Sequence, residues 1–281
     1  TGQGYPNVRA QKIAQAIRKV TNAVELNLTE LHATMSRASG TAGTTPFASV
    51  NDFTAATFAR KILKDNGGDI DPQLVINTAA GATMLGKQSA VDSAGTDTLL
   101  RQGVLQDISG MPLRESAQIL TPAIGDSDGN FTTTAAGFAV GVTSIPLITG
   151  ADEILAGDVV TFAGDANQYV VTTGIDGPGT IVLAAPGLRQ ALPASTVAVT
   201  SVAAAARNMC FARSALVLAA RAPARPTEGD MADDVILITD PRSGLTMEFA
   251  MYKGYRKVRY EVALAWGVKN IKPEHTALLL G

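Results

Sequence analysis

Composition changes twice along this sequence, and the change limits the architectures open to it. Residues 122–206 are rich in Gly, Thr and Val and carry the acids Asp126, Asp128, Asp152, Glu153, Asp158, Asp165 and Asp176 against a single base, Arg189, a formal balance of −6. The segments on either side share neither that composition nor that charge. A chain that changes character and then resumes reads as a host domain carrying an inserted module. Within the block, residues 140–145, 158–163, 168–173, 180–184 and 196–202 are candidate strands separated by Gly, Pro, Asp and Asn turns. Short strands at that spacing predict a small barrel or sandwich.

The flanks read as mixed α and β. Ile13, Ile17, Val20, Val24, Leu28, Leu31 and Met35 recur at steps of three and four, which predicts one helix over residues 7–37. At about 1.5 Å per residue it would run roughly 45 Å, and its single apolar stripe needs a surface to lie on. A second helix is expected from residue 51 or 52 to Gly67, with Phe53, Ala56, Ala59, Ile62 and Leu63 on its apolar face. Residues 74–77 predict a short buried strand, 79–86 a helix, 111–120 a strand and 211–220 an apolar helix. Residues 92–97 read as loop and 99–105 as ambiguous. Strands are expected over 235–239, 245–252 and 276–280. A long strand over 255–268 has Val258, Tyr260, Val262, Leu264 and Trp266 on one buried face.

With 281 residues, 46% hydrophobic and 17% charged, the chain can bury one large core or a core and a satellite. No run approaches the roughly 18 apolar residues of a membrane-spanning helix. Cys210 is the only cysteine, which excludes an intrachain disulfide or a cysteine metal cluster and reads as a small buried hydrophobe. Net charge is −2 but unevenly placed. Five bases face two acids over residues 6–37, and seven face three over 241–275. Basic ends around an acidic insert suit a molecule with one face toward something anionic.

Motifs for catalysis break off early. Gly81-Ala-Thr-Met-Leu-Gly86-Lys87 matches the front of a phosphate-binding loop, but Gln88 stands where a Ser or Thr hydroxyl would bind Mg²⁺. Residues 126–130 resemble the opening of a calcium loop, yet the Gly is two places early and Gly137 stands where a bidentate Glu is needed. His32 and His275 have ordinary explanations as helix-face or loop residues, and neither a Gly-x-Ser-x-Gly elbow nor a His-Glu-x-x-His pair occurs.

The order of parts resembles the major capsid proteins of tailed bacteriophages, the HK97 fold, in the branch typified by the P22 coat protein with its inserted β-domain. The likeness rests on Leu74-Val-Ile-Asn77 with its following helix, on residues 103–116 leading to the insert, and on Ala156-Gly-Asp-Val-Val-Thr-Phe-Ala-Gly164 within it. It continues through Asn208-Met-Cys-Phe-Ala-Arg-Ser-Ala-Leu216 and Ile271-Lys-Pro-Glu-His-Thr-Ala-Leu278. The resemblance implies an α+β subunit: spine helix and part of a peripheral domain over 1–73, axial domain over 74–121 and 207–234, and an inserted β-barrel over 122–206. Peripheral strands over 235–275 and a closing axial strand over 276–281 complete it. It also implies an N-terminal arm and extended loop ahead of the spine.

The implied function is self-assembly into hexamers and pentamers of an icosahedral head, in the virion capsid and beforehand in the host cytoplasm. The expected partners are scaffolding, portal and decoration proteins and, without sequence preference, packaged double-stranded DNA. No catalytic residue, cofactor, metal or membrane is implied. Basic parts would face DNA and the acidic insert the outside. Loops 221–227 and 241–244 are expected intersubunit contacts, with Arg37, Arg221, Arg225, Arg242, Tyr255 and Arg256 as the expected interface residues. An encapsulin-type compartment, which shares the host fold without the insert, and a phosphate-loop nucleotide enzyme are the alternatives.

Overall fold

The computed structural model describes residues 4–49, 52–68, 70–87, 105, 107–125 and 130–281. The loop expected at 92–97, the ambiguous stretch up to residue 104 and the calcium-like residues 126–129 lie outside them. In chain order come α1 (Gly4–Thr29), a 3-10 segment (Glu30–Thr34), β1 (Arg37–Ser39), α2 (Thr54–Asp65), β2 (Pro72–Ile76), α3 (Thr78–Lys87) and β3 (Leu113–Glu115). The inserted block contributes β4 (Phe131–Thr132), β5 (Ser144–Leu147), β6 (Glu153–Ile154), β7 (Val159–Phe162), β8 (Gln168–Thr173), β9 (Ile175–Asp176), β10 (Gly179–Leu183) and β11 (Ala198–Ser201). There follow β12 (Arg207–Ala212), β13 (Leu216–Arg221), β14 (Asp234–Thr239), β15 (Thr246–Gly254), β16 (Lys257–Ala263), β17 (Ala265–Asn270) and β18 (Thr276–Leu280). The protein is mixed α+β and mostly sheet. It divides into two compact bodies, Thr1–Leu28 with Val217–Lys269 and Thr29–Leu216 with Asn270–Gly281.

The larger body is organised by one sheet ordered β3-β2-β12-β18-β1-β8-β7-β11-β4, with β10 on β8 and β5 on β10. The apolar strand β18 is buried along its whole length because it lies between β12 and β1. On one side of this region α2 places Ala56, Ala59, Ile62 and Leu63, the residues its periodicity marks, against Leu74, Ile76, Ala277 and Leu279. Cys210 is fully buried in the same core, its sulfur 3.6 Å from the Met111 sulfur, and burial pushes the thiol up to about 12. Polar residues thread through the join. Asn208 donates to the Leu279 carbonyl at 3.0 Å and accepts the Asn77 amide at 2.7 Å, while the Asn77 side chain caps α3 through the Ala80 amide at 2.9 Å.

The insert closes on itself. Strands β4, β11, β7, β8, β10 and β5 pair in succession, and a bridge between Thr133 and Leu147 joins the first to the last. The interior is filled by Phe131, Ile145, Phe162, Tyr169, Val171, Ile181 and Val199, all from this block. Its ends meet the host side by side, since the Arg207 amide donates to the Leu120 carbonyl at 3.4 Å. Pairing of β8 with β1 makes insert and host one continuous sheet.

Five expected elements differ, the first being the strand expected over 140–145, where residues 140–143 are turn and loop and β5 begins only at Ser144. The helix expected over 7–37 stops at Thr29, because side chains take over its carbonyls: His32 Nδ1 lies 3.0 Å from the Thr29 carbonyl and Thr34 Oγ1 donates to Leu31 at 2.8 Å. The chain then extends into β1. The helix expected over 211–220 is instead β12, a turn and β13, since β12 completes the hydrogen bonding of both β2 and β18. A short apolar run cannot by itself distinguish the two. Over 111–120 only β3 is strand, paired in parallel with β2. The long strand expected over 255–268 breaks at Leu264 into β16 and β17.

Candidate assembly surface

In the smaller body, Ile17, Val20, Val24 and Leu28 of α1 pack with Leu245, Met247, Val262, Leu264 and Trp266. The apolar stripe thus lies on this body's own strands. Polar tips pin both ends: Trp266 Nε1 donates to Asn27 Oδ1 at 3.0 Å, and Arg9 donates to the Tyr260 hydroxyl at 3.2 Å with its guanidinium 5.6 Å from the ring centroid. Strands β14, β15 and β16 form an antiparallel meander, and β13 pairs with β17.

This body buries little of what it could. Among the described residues its buried apolar side chains are Val24, Met247, Ala250 and Leu264, while Ile236 and Leu237 on β14 are 49% and 63% exposed and Val258 on β16 is 48% exposed. Consecutive strand residues point to opposite faces, so Ile236 and Leu237 offer apolar side chains on both faces of β14. Both β14 and β16 are edges of the meander. A groove of about 680 Å³ beside α1 is lined by Ile17, Arg18, Val24 and Leu28 together with Leu218, Arg242 and Leu245. Apolar surface on an unprotected edge strand is the template for association.

The expected interface residues fall on separate segments. Tyr255 and Arg256 form the β15–β16 turn, where Tyr255 is 89% exposed and Arg256 holds a positive φ of 57°. Arg221 ends β13, exposed. Arg242 sits in the turn after β14, which Asp240 orders by accepting from Ser243 Oγ at 2.6 Å and the Arg242 amide at 3.3 Å. Arg225 is tied within the body, its Nε 3.3 Å from Glu248. Arg37 belongs to the larger body, where it is buried in β1, 3.5 Å from Asp65 and 2.9 Å from Asn167. The exposed edge of β14 carries no charge pattern or motif, and its four-residue apolar run, Val235 to Ile238, reads in sequence as an ordinary buried strand.

Residues of the phosphate-loop lookalike lie in α3, with their amides committed to helix geometry. Gly81 is there for space, since a Cβ would stand 2.5 Å from the Glu115 carboxylate. His275 lies against Gly68, and His32 is held below its usual range, chiefly by burial. Among the described residues, no three His, Cys, Asp or Glu side chains converge as a metal site would require. None of the described helices is long and apolar enough to cross a membrane. Of the acids in the insert, Asp158 and Asp165 are buried and structural. Asp158 accepts the Gly125 and Leu155 amides at 3.0 and 2.8 Å, and Asp165 accepts the Tyr169 hydroxyl at 2.6 Å.

No known protein family matches this sequence, and neither does any curated protein. Among solved structures that match is a chain described as Mycobacterium phage Che8, with a TM-score of 0.41 and 12% identity over 99% of the present chain and 63% of that one. The present chain therefore spans less than two thirds of that chain's length.

Proposed function

We propose that this protein is a major capsid protein of a tailed bacteriophage, assembling through copies of itself into the hexamers and pentamers of an icosahedral head. The observation that carries the reading is β14: an edge strand with Ile236 and Leu237 exposed on opposite faces, in a body whose own core is small. A second copy is the occupant such an edge suits, because the same surface recurs on every subunit. Many copies then add modest contacts into a stable closed shell. The order of sequence pieces supports the same reading. In the β15–β16 hairpin, Lys253 is neutralised by Asp233 at 2.6 Å and Arg259 by Glu261 at 3.0 Å, while the exposed Arg256 and Lys257 stand at the turn. These suit contact with packaged DNA that is weak, salt-dependent and independent of sequence. Scaffolding, portal and decoration proteins would be the further partners. Negative-stain microscopy of the natural full-length protein, coexpressed with its scaffolding protein, is expected to show closed shells. A uniform population of single subunits at high concentration overturns the proposal.

A further inference from the structure

Two edge strands of the smaller body lack, along their length, the charged side chains that usually guard such an edge. Among the described residues, β13 is hydrogen-bonded only to β17 and β14 only to β15, so each keeps one open side. Both are apolar and uncovered: Val217 and Leu218 of β13 are 41% and 38% exposed, beside Ile236 and Leu237 of β14. The open edge of β16, by contrast, is guarded by Lys257, Arg259 and Glu261, and β17 carries Lys269. Strands β13 and β14 are each six residues long and carry one charge apiece, Arg221 closing β13 and Asp234 opening β14, both exposed.

We propose that β14 of one copy pairs antiparallel with β13 of the next, Arg221 lying opposite Asp234 and Leu218 opposite Leu237. The inference rests on the capsid reading and names the contact through which copies join. In this register Ala219 and Ala220 stand opposite Ile236 and Val235, small side chains against large ones. Charge sets direction and register. Parallel pairing would put Asp234 against Leu216, and a slip of one residue would offer Arg221 either Val235 or Asp233, which Lys253 already holds at 2.6 Å. Joining two different edges, the contact is heterologous and carries around a ring, whereas β14 paired with its own copy closes a dimer and stops.

Cysteine cross-linking of the full chain, coexpressed with its scaffolding protein, tests this. Directly opposed residues of an antiparallel pair have Cβ atoms about 4.5–5.5 Å apart, near enough for an added oxidant to join two cysteines. Leu218→Cys with Leu237→Cys is expected to give a ladder of linked subunits reaching five and six in oxidised shells, and neither substitution alone to give any. The buried Cys210 stays out of the reaction, its thiol pushed up to about 12. Arg221→Asp and Asp234→Arg are each expected to lower shell yield about fivefold or more by opposing like charges, and the double variant to restore it. If the cysteine pair makes no shells, this reversal decides alone. Regular shells from the cysteine pair without a ladder, a linked dimer from Leu237→Cys alone, or a double reversal no better than the singles overturns this contact and leaves the capsid reading standing. Single subunits from the natural protein overturn both.

Discussion

Tyr169 shows how a single side chain ties the inserted barrel together. Its ring packs edge-on against Phe162 at 5.7 Å, and its hydroxyl donates to Asp165 at 2.6 Å while accepting the Arg189 amide at 2.9 Å. Burial first, then the Asp165 hydrogen bond, push the phenol up to about 12. The sign follows directly. The unfolded chain releases this proton near pH 10 and the folded one holds it to about 12, so the stability it contributes is complete below pH 10 and is lost as pH rises through that interval. Tyr169→Phe leaves the Asp165 carboxylate and the Arg189 amide each short of a partner and is expected to cost about 1–3 kcal/mol, measured by denaturant unfolding at neutral pH. Spectrophotometric titration should show one late-ionising tyrosine fewer. If the variant matches the natural protein in both measurements, the hydroxyl does not tie the barrel together.

At the scale of the element, the proposed association role of strand β14 can be tested separately from folding. Leu237 is 63% exposed, so Leu237→Lys should change subunit stability by no more than about 0.5 kcal/mol. Lysine on an edge strand opposes pairing with another chain, and the loss recurs at every copy, so shell yield is expected to fall roughly tenfold or more, read by sedimentation. Unchanged shell yield would remove β14 from the interface. Which elements sequence could reveal follows from what fixes each one. Helix α2 is legible because its burial repeats its periodicity, and β8 is legible because turn residues bound an apolar run. The end of α1 is not, since Leu31 and Met35 continue the stripe in sequence while serving a different core, beside Ala38 and Leu278. Nor is β12, whose strand state comes from partners far off in sequence. The exposed edge of β14 is invisible for the same reason: apolar residues look alike whether the fold covers them or leaves them for a neighbour.

Across the whole molecule, the block over residues 122–206 has its own core and also shares a sheet and a second core with the flanking residues. The barrel fills its interior from its own residues, yet a second core combines its Val159, Val170, Ala184 and Ala205 with Met35, Ala38, Met209, Leu278 and Leu280 of the host. Strand β8 also gives β1 its second partner, and Asn167 satisfies part of the Arg37 guanidinium. Because the ends of the block are hydrogen-bonded neighbours, replacing residues 122–206 by a short Gly-Ser linker is geometrically undemanding. The cost lies elsewhere: β1 becomes an open edge, Arg37 loses a partner inside the sheet, and the shared core loses one wall. The deletion is therefore expected to give a chain that binds a hydrophobic dye and sediments as aggregate or aberrant particles. Normal, soluble subunits forming regular shells from that deletion would show that the host sheet stands without the insert, and that the shared core contributes little.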